Sequence, residues 1–305
     1  MSILNTASDG LFNVLIVLVR LLTKYGPQSR DNILVLAGAR FGAIDSSKIS
    51  MSVVRWTELG LFVENDGLIC LADRHKKALS NNADIAESRL PKVLRSLIFA
   101  PENNVRFWSS EENRSADCTR GLAWLLAQNI YLLDTSSHKP INELESAQIL
   151  DESRRMFQND VRWNGVKMWC SYLGFARQGA SMVIDPTPAL RESLDDIFVT
   201  ERMPALDFIA RASEVLPVLD GGSYRSQIEE VLRDTNWTAP PNGFVSTSLS
   251  RAIRRLTQEG WLAQEGLSDP SSGSKLLGGI KLLGHRNESW GSMTHVRRLP
   301  KDGVA

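Results

Sequence analysis

Cysteine, histidine and net charge are all scarce in this 305-residue chain. It has three cysteines, four histidines, and 35 Lys and Arg balanced by 35 Asp and Glu. Cys70, Cys118 and Cys170 stand apart from one another, and an odd, unpaired set suits a reducing compartment, so the chain reads as cytosolic. The scattered histidines show no metal-ligand spacing, and no metal or other cofactor is expected. Balanced charge gives the whole molecule no general attraction to nucleic acid; a basic surface has to be local. There is no glycine-rich phosphate loop with its lysine, and Gly221-Gly222 reads as a turn. Long apolar runs are missing too. The strongest, residues 11–22, carries Arg20, falls short of the roughly 20 residues that span a bilayer, and lacks the basic start of a signal peptide. It reads as a buried helix, and no membrane partner is expected.

What is present is an internal echo at a displacement of 200 positions. Ser50, Arg55, Thr57 and Gly60 recur as Ser250, Arg255, Thr257 and Gly260, and apolar residues coincide at 49/249, 53/253, 56/256 and 61/261. Each copy reads as a short amphipathic helix stopped by glycine and followed by an apolar strand start. That is how the third helix of a winged helix-turn-helix meets its wing. Around the first copy, Ser29 can cap an earlier helix, and Asn65-Asp66-Gly67 between apolar runs signals a hairpin.

The expected fold is therefore mainly α, of α+β winged-helix type. Residues 1–73 form an amino-terminal winged helix and residues 74–202 a helical middle. Residues 203–284 form a second winged helix, and residues 285–305 a basic, partly unordered tail. Within the middle, residues 73–88 read as a polar bridge, Pro91 opens a short helix, and 189–198 form one helix. In the second winged helix the wing strands are expected at 261–263 and 275–277, joined by a long loop rich in Ser, Gly, Asp and Pro.

Arg251, Arg254 and Arg255 lie at i, i+3 and i+4 of the second copy, where their guanidinium groups share one stretch of helix surface. With Thr247 and Ser248 at the helix start they make a candidate surface for double-stranded DNA, since arginine suits guanine edges and hydroxyls suit phosphates. Lys275, Arg297 and Arg298 extend the basic character toward the tail. Exposed arginines on an amphipathic helix are equally common without nucleic acid. Asp185, Asp195 and Asp196 are the only carboxylates worth testing as metal ligands, and two-metal chemistry needs more groups converging than these offer. Trp163, Trp169, Tyr172 and Phe175 interleave with basic residues, as in a base-stacking platform, but Trp163, Val166, Trp169 (or Cys170) and Leu173 at helical spacing read as core. No catalytic set emerges, and an enzyme is not expected.

Short marks spread along the chain resemble the accessory proteins of bacterial clusters that insert 7-deazaguanine bases into DNA and restrict unmodified DNA. They are Ile3-Leu4-Asn5 with residues 10–15, Arg55-Trp56 with residues 59–62, residues 172–175 with Asp185-Pro186-Thr187, and residues 216–222. The resemblance implies a DNA-directed or complex-assembling role in the restriction arm, with no catalytic residues to carry over. The reading is a non-enzymatic subunit of a restriction or anti-phage assembly, with other subunits of a restriction complex as partners. A second reading makes the two modules adaptors for a large ATPase or helicase. A transcriptional regulator ranks below both.

Overall fold

The computed structural model describes residues 3–4, 12–42, 44–109, 114–266 and 279–300. The chain divides into two compact units, Met1–Thr119 with Met156–Leu173, and Arg120–Arg155 with Gly174–Ala305. The middle segment 74–202, expected as a region of its own, is thus shared out between the two. Helices predominate, with small sheets.

The first unit opens with α1 (Phe12–Tyr25), β1 (Gln28–Ser29), α2 (Arg30–Leu36), α3 (Ser46–Glu58), β2 (Phe62–Asn65) and β3 (Leu68–Leu71). Helix α1 buries Val14, Leu15, Leu18, Val19, Leu21 and Leu22, so little of its circumference is left for solvent. Ser29 caps α2 by accepting from Asn32 N at 3.2 Å, and Asp45 caps α3 by accepting from Ser47 N at 2.8 Å. Asp66 (φ 51°) and Gly67 (φ 75°) make the two-residue turn between β2 and β3, whose mirror-image backbone matches the strand twist. Strand β1 pairs with the far side of β3, giving the order β1-β3-β2.

Next come α4 (Asp73–Leu79), α5 (Ala83–Ile98), α6 (Ala116–Ala127), α7 (His138–Gln148) and α8 (Asp160–Tyr172); α4, α5 and α8 belong to the first unit and α7 to the second. The polar bridge expected over 73–88 is therefore largely helical. Asn82 starts α5 by accepting from Asp84 N and Ile85 N at 2.9 and 3.1 Å, which moves the helix start upstream and leaves Pro91 inside it. Helix α8 completes the core: Trp169 packs on Trp56 with ring centroids 5.7 Å apart, and Tyr172 stacks on Phe12 at 4.3 Å. Trp163, Trp169 and Phe175 are buried, as core residues should be. Arg95, also buried, donates to the Leu173 carbonyl at 2.9 Å.

The second unit continues with β4 (Ala176–Arg177), β5 (Val183–Ile184), α9 (Thr187–Glu192), α10 (Leu194–Ile197), β6 (Arg202–Pro204), α11 (Ala205–Val215) and α12 (Ser223–Glu229). It ends with β7 (Phe244–Val245), α13 (Thr247–Gln258), β8 (Leu262–Glu265), β9 (Ile280–Leu283), β10 (Ser289–Met293) and β11 (His295–Arg298). A break at Ser193 divides the expected 189–198 helix into α9 and α10. Residues 285–305 were expected as a partly unordered tail, yet β11 is the central strand of the sheet β6-β11-β8, with Val296 fully buried. It is β11 that pairs with β8. The expected second wing strand at 275–277 and the loop before it fall at residues 267–278, outside the described residues.

The 200-residue echo holds down to individual hydrogen bonds. After α3, Gly60 N donates to Thr57 O and Leu61 N to Trp56 O; after α13, Gly260 N donates to Thr257 O and Trp261 N to Leu256 O. Gly60 (φ 88°) and Gly260 (φ 72°) supply the left-handed residue this helix ending requires. Thr57 and Thr257 both donate back to the carbonyl four residues earlier. The two copies then diverge. Arg55 is buried in the first, whereas Arg255 is half-buried in the second.

Candidate nucleic-acid interface

Helix α13 is fixed at its start by a double cap. Ser246 accepts from Leu249 N at 3.3 Å, and is itself held by Asp220, which accepts from Ser246 N and Oγ at 2.5 and 2.6 Å. Leu249, Ala252, Ile253 and Leu256 then face the core. Thr247 and Ser248, expected at the reading surface, are buried. Thr247 Oγ1 donates to Gln128 O and accepts from Ile130 N, and Ser248 Oγ donates to Leu126 O at 2.8 Å. Their hydroxyls fasten α13 to the end of α6. A helical wheel finds the apolar face of α13 but cannot show that α6 also covers its first turn.

The arginines of α13 converge on one carboxylate. Asp185 has no exposed surface, and its Oδ2 meets Arg177 Nε at 2.9 Å, Arg251 Nε at 3.7 Å and Arg255 Nη1. Its Oδ1 accepts from Thr187 N and Oγ1 at 3.2 and 2.5 Å. Burial alone would raise the Asp185 pKa, but the Thr187 hydrogen bonds and the charges of Arg255 and Arg251 outweigh it and hold the carboxyl below its ordinary range. Asp185 is therefore ionised at neutral pH and anchors the cluster. Glu259 extends it, meeting Arg255 Nη2 at 3.0 Å and Arg191 Nη1 at 3.9 Å.

Arg254 points elsewhere, with its guanidinium 4.2 Å from the centroid of the Trp290 ring. Tyr131 stands edge-on to both Trp290 and His285, at 5.7 and 5.3 Å. Burial pushes the Tyr131 phenol pKa up, opposed by Arg251 and Arg254. So Arg251, Arg254 and Arg255 share one region, joined by Arg177, Arg191, Tyr131 and Trp290, which sequence reasoning did not select. Nothing in local spacing ties residues 177 or 185 to 251, some seventy positions on.

Arg297 and Arg298 lie apart, on β11. Arg297 pairs with Glu265 at 2.9 Å and Glu201 at 3.8 Å, and Arg298 with Asp195 at 2.7 Å. Lys275 lies outside the described residues. Among the described residues no three His, Cys, Asp or Glu side chains group as metal ligands, and no helix is long and apolar enough to cross a membrane.

Around α13, five arginines (177, 191, 251, 254 and 255) stand among three carboxylates, Asp185, Glu259 and Glu288, the last accepting from Nε1 of the Trp290 beneath Arg254 at 2.8 Å. On a chain of zero net charge this is a local positive excess among the described residues, and the side chains of Arg177, Arg191, Arg251 and Arg255 are 25 to 46% exposed. Such an arrangement can hold an anion by charge-assisted hydrogen bonds. The carboxylates keep the guanidinium planes in place, so little further ordering is needed on binding.

Neither a search of curated proteins nor one of solved structures finds a match for the chain. The profile of the DpdG-like family matches residues 1–270. That agrees with the resemblance carried by the short marks, and it brings with it a role in the 7-deazaguanine modification and restriction system. The chain belongs to the DpdG-like family.

Proposed function

We propose that this protein is a non-enzymatic, DNA-directed subunit of its modification and restriction system, and that it holds the phosphate backbone of double-stranded DNA through the arginines around α13. The observation that carries the reading is the excess of five arginines over three carboxylates on a chain without net charge. The helix–hairpin order α1–α2–α3–β2–β3, and the order α11–α12–α13–β8 closed by β11, support a winged-helix reading of both ends. With Thr247 and Ser248 buried and Arg255 committed to Asp185, the contact favoured is to phosphate and not to base edges. Binding of a labelled duplex across a salt series tests this. Replacing Arg251, Arg254 and Arg255 by alanine should flatten the log–log salt slope by about 2 to 3, near 0.9 for each phosphate left without its arginine. An unchanged slope in a folded triple variant removes this surface from consideration.

A second reading, as an adaptor for other subunits such as an ATPase or helicase, is favoured by the first unit. Leu36, the last residue of α2, is 46% exposed, and Phe41, in the short 3-10 turn Ala39–Phe41 that follows, is 88% exposed. Exposed apolar side chains of this size serve protein contacts better than phosphate. Co-purification with a large ATPase that disappears on changing Phe41 to serine, without change in DNA binding, would support it.

A further inference from the structure

Arg254 differs from the other arginines of its cluster in having no carboxylate. Arg177, Arg251 and Arg255 close on Asp185, and Arg191 and Arg255 on Glu259. Among the described residues nothing accepts a hydrogen bond from the Arg254 guanidinium, and no carboxylate comes within ion-pairing distance of it. Its nitrogens are open to solvent, whereas Arg251 Nε is sealed. What holds Arg254 is a flat platform, the Trp290 ring, whose centroid lies 4.2 Å from the guanidinium carbon. That indole is fixed in three ways. Its Nε1 donates to Glu288 at 2.8 Å, Tyr131 stands edge-on to it at 5.7 Å, and the ring lies close across Gly284, where a methyl group would collide with Nε1. His285, in the turn joining β9 and β10, adds an exposed ring 5.3 Å from Tyr131.

We infer that the Arg254–Trp290 platform stacks an unpaired base, so that the surface around α13 holds DNA at a single-stranded segment. The inference rests on the proposed phosphate contact and names the form of DNA that contact receives. In a duplex each base face is covered by the next base pair, and a protein meets only phosphates and base edges. A phosphate needs a positive charge but no ring behind it. A ring behind the guanidinium fixes its plane, and a fixed plane is what a base face stacks on. Arg251 stands one helical turn before Arg254, about 5 to 6 Å away between Cβ atoms. An arginine suited to phosphate is thereby set beside the stacking plane, which is the arrangement of single-strand grooves. Because every base has a π-face, stacking of this kind accepts any of the four.

Fluorescence anisotropy with the full chain compares two labelled duplexes of equal charge. One carries a single-stranded thymidine overhang, the other an abasic overhang with the same number of phosphates. The thymidine tail should bind at least about fivefold more tightly, the contribution of one stacked base. Arg254→Lys keeps the charge and loses the plane, and Trp290→Leu keeps the guanidinium and loses its backing. Either change should bring the ratio of the two affinities close to one. Because the ratio is taken within each protein, any loss of phosphate contact cancels. Arg254 is half-buried on a polar helix face, so Arg254→Lys serves if Trp290→Leu misfolds. Equal binding of the two tails by the unaltered chain overturns the inference, as does a preference that survives Arg254→Lys. A blunt duplex bound with the expected salt dependence, while the two tails stay equal, sinks the single-strand assignment and leaves the phosphate contact standing. Failure to bind any of the three sinks both.

Discussion

Asp220 grips Ser246 twice, at the backbone N–H (2.5 Å) and at the hydroxyl (2.6 Å), and so caps the residue that caps α13. The same carboxylate lies 3.8 Å from Arg225, which has no exposed surface and donates to Glu229 at 2.5 Å. Asp220→Ala removes both functions at once. Leaving a buried arginine with one carboxylate in place of two, and the cap unsupported, should cost about 2 to 4 kcal/mol in urea unfolding. Asp220→Asn should cost less, because its amide oxygen can still accept from Ser246.

Asp185→Asn should act in opposite directions on stability and on DNA binding. It strips the buried anchor from Arg177, Arg251 and Arg255, a loss of about 1 to 3 kcal/mol after allowing for their partial exposure. It also removes a negative charge from the proposed binding surface, so duplex affinity at low salt should rise. Reduced affinity together with an intact fold would show that Asp185 positions the arginines more than it neutralises them.

The pH dependence has a definite sign. The Asp185 carboxyl is held below its ordinary value, so its contribution is complete above that value, near 3.8, and is lost as pH falls through the lower folded-state value. The stability gap between the unaltered protein and Asp185→Asn, measured by denaturant unfolding, should therefore be flat from pH 7 to about 5 and shrink below about pH 4.

Gly60→Ala and Gly260→Ala test the two helix endings. Both positions have positive φ, and an alanine there should cost about 1 to 2 kcal/mol of thermal stability. At Gly260 a methyl group meets open space, whereas at Gly60 it would collide with Arg74 Nη2 and displace a guanidinium that donates to Gly60 O. The Gly60 change should be the more costly of the two.

Cys70, Cys118 and Cys170 are all buried and free of disulfides. Burial pushes the Cys118 and Cys170 thiol pKa values well up, so little thiolate forms at neutral pH. A thiol-specific colour reagent should modify Cys118 and Cys170 only after unfolding, and rapid modification of either in the native protein would contradict the packing.

Local chemistry was legible wherever a cap, a turn or a period decides the outcome. Gly60 and Gly260 end their helices as the echo implied, Asp66-Gly67 turns the hairpin, and α11 spans the expected residues. Long-range neutralisation was not legible. Arg255 lies on the polar side of α13 whether it meets solvent or Asp185, and periodicity cannot tell these apart. Thr247 and Ser248 misled for the same reason, since hydroxyls at a helix start suit a phosphate and the carbonyls at the end of α6 equally well. Pro91 misled because a first-turn proline is common, while the stronger start signal was the Asn82 cap nine residues earlier.

The Trp56–Trp169 contact has a consequence for synthesis of the chain. The amino-terminal unit draws its closing helix from beyond a 36-residue excursion into the other unit, so a ribosome must release residue 173 before that core can seal. A fragment stopping at residue 119 would leave Trp56 without its indole neighbour and invite aggregation. Dissection of this protein into workable halves therefore calls for grafting 156–173 onto the first 119 residues, and not for a single cut.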